Sequence, residues 1–262
     1  MVKEVELSAR LKALADMVTP GNRVCDVGCD HGFLSVYLVQ KKISPMVLAM
    51  DVRPGPLSRA SEHVEEYGLE EYIETRLSDG LHNMEAGEAE SLVCAGMGGR
   101  LMQRILEEGR EKTAAFRELI LQPQSEIGGF REFLRSGGYQ TVAENMIEEE
   151  GKFYPMMKVV PVQNMVSCRD PFFEDPQEDA YDVSADRGAF CQNLKLFDRF
   201  GELLLKGGSP VLYRFLNYRR ECLAEIRRTL AANGGSRASQ RLLEVDGELE
   251  DISRALREYF PQ

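Results

Sequence analysis

Residues 7–18 place Leu7, Leu11, Leu14, Ala15 and Val18 on one helical face, and Pro20-Gly21-Asn22 ends that helix. Five short apolar runs follow at fairly even intervals: Arg23–Val27, Met46–Val52, Tyr72–Leu77, Ser91–Ala95 and Leu119–Gln122. Between them, Leu34–Lys41, Leu57–Tyr67 and Leu101–Glu108 carry helical spacing. Short buried strands alternating with helices predict βαβ units and a doubly wound parallel sheet. Right-handed crossovers then place any ligand beyond the C-terminal ends of the strands.

The pattern changes after a predicted helix at Gly129–Ser136, which Gly137-Gly138 ends. Gln140–Ile147 and Phe153–Val162 read as two strands around a turn at Gly151. A parallel sheet closed by an antiparallel hairpin is the Rossmann-like α/β arrangement of class I methyltransferases. Nicotinamide-type folds more often repeat a second βαβαβ half. Residues 163–186, rich in Pro, Asp and Glu, read as a linker. From about residue 190 the spacing is helical, in three stripes: Leu194, Phe197, Gly201 and Leu204; Leu212 to Leu230; and Leu242 to Leu256. Breaks at Gly207-Gly208 and Asn233-Gly234-Gly235 predict a small coiled-coil-like bundle. The expected domains are residues 1–165, carrying the sheet, and 166–262, carrying linker and helices.

Charge refines this picture. The chain carries a net −11, which disfavours a polyanionic partner, but the charge is unevenly spread. Residues 187–241 hold 11 Lys and Arg against 4 acids, whereas residues 144–186 hold 3 against 11. The basic stretch is either a solvated helical surface or a phosphate-facing one. Residues Met1–Leu7 carry acids where a signal peptide needs a basic region, so no signal peptide is expected, and no apolar run approaches the ~20 residues that span a bilayer. A cytoplasmic protein with no membrane partner is expected. Six cysteines without a Cys-x-x-Cys pair and three unclustered histidines predict no metal site.

The candidate chemistry lies at the strand ends. The first strand runs into Asp26-Val27-Gly28-Cys29-Asp30-His31-Gly32, a turn whose glycines let backbone approach a ligand. Carboxylates at 26 and 30 would repel a pyrophosphate, and the full G-x-G-x-x-G fingerprint is missing. They attract the sulfonium and ammonium of S-adenosylmethionine, so that cofactor is expected over Asp26, Gly28, Asp30, His31 and Gly32. Asp51, ending the second strand, is placed to accept from ribose hydroxyls. Asp79, before Gly80, is placed to accept from an adenine amino group. Ala95-Gly96-Met97 is expected beside the transferable methyl, with Gly98 and Gly99 admitting a flat base.

Taken in order, Asp26-Val-Gly-Cys-Asp-His-Gly-Phe-Leu, Asp51 with Gly55-Pro56-Leu57, Asp79-Gly80-Leu81 and Ala95-Gly96-Met97-Gly98-Gly99 resemble the bacterial tRNA (adenine(22)-N1)-methyltransferases, the TrmK family. The likeness runs from Leu7 to about Val162 and more loosely into the helical region. It implies methyl transfer to N1 of an adenine in tRNA, with substrate contacts around Arg10, the Gly98-Gly99 loop, Lys152 and Tyr154. N1 carries an in-plane lone pair, so no nucleophile–base dyad is required. Catalysis rests on alignment, with Asp30 the candidate to stabilise the cationic product. Arg219, Arg220, Arg227 and Arg228, with Arg214, Arg237 and Arg241, are the candidate phosphate-facing set. A methyltransferase acting on a small molecule or protein, a non-catalytic cofactor-binding module and a dehydrogenase are the competing readings.

Overall fold

Ser8 caps the first helix, α1 (Ala9–Met17), its hydroxyl accepting from the Leu11 amide at 3.4 Å. The computed structural model describes residues 4–162, 187–233 and 236–261. The chain divides into two units, Met1–Ala180 and Tyr181–Gln262. The expected boundary at 165/166 and the acidic stretch 163–186 lie outside the described residues.

The first unit holds β1 (Val24–Val27), β2 (Val47–Asp51), β3 (Ile73–Leu77), β4 (Ser91–Met97), β5 (Glu118–Pro123), β6 (Tyr139–Glu149) and β7 (Lys152–Pro161) in one sheet of order β3-β2-β1-β4-β5-β7-β6. β1 to β5 run parallel, and β7 is antiparallel to both β5 and β6. Every residue of β1, β2 and β5 is buried, as expected for parallel strands covered on both faces. Alternate residues serve opposite layers. Cys25, Leu48, Leu92 and Leu119 pack with Met102, Leu106 and Phe130, from α4 (Gly99–Glu108) and α6 (Ile127–Ser136). Val24, Ala49, Val93 and Ile120 pack with Leu14, Leu38 and Val64, from α1, α2 (Phe33–Gln40) and α3 (Pro54–Glu66). Asp26 shares its parity with Val24 and so faces the α2 side.

Two readings of the first unit need correction. The fourth strand, expected to end at Ala95, runs on through Gly96 and Met97, with a register shift between Ala95 and Met97 where Gly96 takes φ +79°. Helix α4 starts at Gly99 rather than Leu101, and a short α5 (Arg110–Thr113) follows it.

The second unit holds α7 (Arg187–Phe200), α8 (Glu202–Lys206), α9 (Pro210–Asn233) and α10 (Ser236–Tyr259). The first expected stripe is two helices, because Gly201 adopts φ +94° and breaks it. The two long helices bury Leu212, Leu216 and Leu223 with Val245, Ile252 and Ala255, an antiparallel seam of the expected kind. Ile226, expected on that seam, is 37% exposed.

Candidate active site

Beyond β1 the chain turns through three left-handed residues within five, Gly28 (φ +78°), Asp30 (φ +48°) and Gly32 (φ +71°). The amides of Gly28 and Cys29 both donate to the Met50 carbonyl, at 2.8 and 3.0 Å, which ties the turn to the end of β2. Gly32 then starts α2, and a Cβ there would stand 3.1 Å from that of Ala60 on α3. Its role is therefore close helix packing, and it does not line the cavity described next.

At the C-terminal ends of the parallel strands lies a cavity of about 710 Å³, a volume suited to a nucleoside-sized ligand. Of the expected cofactor residues, Asp26, Gly28, Asp30, His31, Asp51, Asp79, Gly80, Ala95, Gly96 and Met97 all line it. Arg10 closes it from α1. Asp26 is buried and accepts from Ser35 Oγ at 2.8 Å. Burial pushes its carboxyl up to about 6; the Ser35 hydroxyl opposes that rise and the Asp51 charge adds to it. Asp51, also buried, accepts from the Arg53 amide at 2.9 Å and lies 3.4 Å from the Asp30 amide.

Two carboxylates sit differently from expectation. Asp79 is held by both terminal nitrogens of Arg104, at 2.9 and 3.2 Å. Its two oxygens thus already accept one charge-assisted bond each, leaving lone pairs for a further donor. Asp30 is exposed, with Arg59 at 3.6 Å and His31 at 3.8 Å. Its charge is partly offset by Arg59, which makes it a weaker stabiliser of a cationic product than a bare carboxylate.

Gly98 and Gly99 stand off the cavity wall. A Cβ at 98 would meet Ser125 Oγ at 2.9 Å, and one at 99 would meet the Ser125 carbonyl at 2.7 Å. Their missing side chains seat the loop after β5, a packing reason distinct from admitting a base. Arg10 donates to Gln122 Oε1 at 3.1 Å and lies over the Tyr154 ring at 5.6 Å. Its amide donates to Glu149 at 3.1 Å, so α1 is pinned to the hairpin beside the cavity. Lys152 is exposed at the start of β7, opposite Glu149, and does not line the cavity.

Sequence reasoning missed Ser35, Arg104, Gln122 and Gln124. The signal for the last two was Gln122-Pro123-Gln124, polar residues around a proline where a buried strand ends. The cavity thiol Cys29 is no thiolate, because burial and then the charge of Asp26 push it well above its usual value. Among the described residues no three His, Cys, Asp or Glu side chains cluster to hold a metal, and no helix is long and apolar enough to cross a membrane.

In the helical unit most of the expected phosphate-facing arginines are paired with acids. Arg219 binds Glu248 through two nitrogens, at 2.7 and 3.2 Å, and Arg227 binds Asp246 at 2.6 Å. Arg228 pairs with Glu225, and Arg241 with Glu244. Arg220 instead donates to Asn217 at 2.8 Å. The side chain of Arg237 lies outside the described residues. Counting charge only to residue 241 overstated the surplus, since residues 242–262 add six acids against two arginines.

A parallel sheet closed by an antiparallel hairpin, with carboxylates at the ends of β1 and β2 and just past β3, defines a Rossmann-like methyltransferase of class I. The family model described as a methyltransferase domain matches residues 7–157. The chain belongs to that family, in the branch that holds the TrmK proteins. It is 36% identical over 156 residues to the tRNA (adenine(22)-N(1))-methyltransferase of Bacillus subtilis, a stretch covering 60% of this chain and 66% of that protein. The crystal structure of B. subtilis TrmK, an M1A22 tRNA methyltransferase, has a TM-score of 0.76 at 27% identity, covering 97% of this chain and all of that one. That of Streptococcus pneumoniae Sp1610 in complex with S-adenosyl-L-methionine has a TM-score of 0.75 at 31% identity, covering 96% of this chain and 100% of that one.

Proposed function

We infer that this chain transfers a methyl group from S-adenosylmethionine to N1 of an adenine in tRNA, at position 22 by its likeness to the B. subtilis enzyme. The observation that carries the reading is the carboxylate-lined cavity over the Gly28 turn. Its residues suit the cofactor. Asp26 faces the place of the ammonium, Asp51 that of the ribose hydroxyls, and Asp79 with Gly80 that of the adenine. Gly28 brings backbone close, His31 and Met97 border the site, and Ala95 and Gly96 leave room beside the reacting methyl.

When bound, the cofactor supplies an activated methyl on a positively charged sulfur. The protein's part is alignment, which can lower barriers by ~7–11 kcal/mol where geometry is good. No side chain needs to take a proton from a neutral adenine N1, and the high-lying thiol of Cys29 suits that requirement. In this reading Arg10, which lines the cavity and lies over the Tyr154 ring, meets the incoming base, and Asp30 meets the developing positive charge. Residues 1–165 form the catalytic domain in this reading, and the helical part from 166 onward adds RNA contacts. With tRNA as substrate the reaction belongs in the cytoplasm.

The test is incubation with isotope-labelled cofactor and tRNA transcribed without modifications, followed by nucleoside mass spectrometry and mapping. Labelled 1-methyladenosine at one position is expected. Transfer to protein or small molecules alone, with unlabelled RNA, overturns the reading.

A further inference from the structure

The reacting edge of an adenine cannot also be the edge by which it is held. With N1 directed at the methyl, recognition falls to the Hoogsteen edge, where the exocyclic amino group donates and N7 accepts. A primary amide presents the complementary acceptor and donor side by side. Gln124 is the one primary amide among the described residues of the cavity wall. Its Nε2 stands 3.7 Å from where a Gly96 Cβ would be, and Arg10 Nη1 stands 3.9 Å from the same point. Gly96, bare of a side chain, therefore leaves a slot beside these two side chains.

The neighbouring amide is already committed. Gln122 is fully buried, with Oε1 on Arg10 and Nε2 on the Pro123 carbonyl at 3.2 Å. The side chain of Gln124, by contrast, makes no hydrogen bond among the described residues. Its backbone is fixed: the Gln124 amide donates to the Met97 carbonyl at 2.8 Å, and the Gly99 amide donates to the Ser125 carbonyl at 3.0 Å. The seating of this loop on Gly98 and Gly99 thus places one uncommitted amide beside the slot.

We propose that Gln124 is the specificity-determining residue for the target base, its amide bridging the adenine amino group and N7. This rests on the reading that the cavity methylates adenine in tRNA. Guanine, with acceptors at both O6 and N7, would set an oxygen against the Gln124 oxygen, whereas adenine matches at both atoms.

The test pairs Gln124→Ala with tRNA carrying 7-deazaadenosine at the methylated position. Gln124→Ala should lower kcat/KM for unmodified tRNA about 5- to 150-fold, the span of one bidentate base contact, and leave cofactor affinity unchanged in calorimetry. The 7-deaza substitution should slow the wild type several-fold and slow Gln124→Ala no further, because the two changes remove one interaction. An equal 7-deaza penalty in both proteins, or a Gln124→Ala protein as fast as wild type, overturns the assignment alone. A wild type inert on unmodified tRNA overturns both readings.

Discussion

The terminal methyl of Met97 fills the space that a side chain at position 28 would need. Gly28 is required for its φ of +78°, and a Cβ there would in addition push aside the flexible end of Met97 at the end of β4. Gly28→Ala should cost ~1–2 kcal/mol of stability through the left-handed backbone, read as a lower Tm. It should also weaken S-adenosylmethionine binding, by about 10-fold for each 1.4 kcal/mol of displaced contact. Adding Met97→Ala should recover part of the affinity and none of the Tm. Recovery of both together would mean that the backbone conformation carries no cost.

Asp26 gives the cofactor site a pH dependence with a definite sign. Burial raises its carboxyl from the usual 3.8 to about 6, so the folded protein holds a proton that the unfolded chain has lost between those values. Stability contributed at this position therefore falls as pH rises through that window, by up to about 3 kcal/mol at 1.36 kcal/mol per unit. Asp26→Asn keeps an acceptor for Ser35 and removes the charge. It should raise the Tm of the cofactor-free protein at pH 7.5 and lose that advantage below pH ~4. Cofactor affinity should fall in the same variant, and its decline below pH ~6 in the wild type should disappear. Unchanged affinity would place the ammonium elsewhere.

What the sequence revealed of this site follows from where polarity interrupts burial. Asp26 and Asp51 stand out because each follows apolar residues at the end of a fully buried strand, and Asp79 because it opens the Asp-Gly turn after β3, a strand that is itself partly exposed. Gly96 and Met97 misled, since the glycine suggested that the strand ends at Ala95. Pairing of Met97 with Pro123 carries β4 onward, and a neighbouring strand outweighs local propensity. Gly201 misled in the opposite way: the apolar spacing runs unbroken across it, and only its φ reveals the break. The Arg104–Asp79 and Ser35–Asp26 contacts join a helix to a strand or turn through the crossovers of the fold. No periodicity encodes such a pairing.

At the opposite end of the sheet, Glu118 anchors α1 to the strands. Burial opposes its charge, but Lys158 at 2.6 Å, Thr19 through both hydroxyl and amide, and Ser91 together hold the carboxyl below its usual value. For a depressed acid the stabilisation is present above the unfolded pKa and is lost as pH falls through the folded one. Glu118→Gln should cost about 3 kcal/mol at neutral pH, because Lys158 loses its carboxylate in a largely buried setting. The difference from wild type should shrink on acidification. Chemical denaturation at pH 7 and pH 3.5 measures both, and a penalty independent of pH would assign the loss to packing.

The arginines of the helical unit divide by partner, and the division predicts two different losses. Arg219 joins α9 to α10 through Glu248, so Arg219→Gln should lower the Tm, by the equivalent of about 1 kcal/mol for a partly exposed pair. It should leave the salt dependence of tRNA binding nearly unchanged. Arg220 donates to the neutral Asn217 and is exposed, so its charge is the better placed to meet a phosphate. Arg220→Gln should leave the Tm in place and reduce the slope of log K against log salt by ~0.7–0.9. Fluorescence anisotropy with labelled tRNA from low to physiological salt reads the slope. A slope unaffected by Arg220→Gln and reduced by Arg219→Gln would mean that the Glu248 pair opens on RNA, leaving Arg219 to bind phosphate.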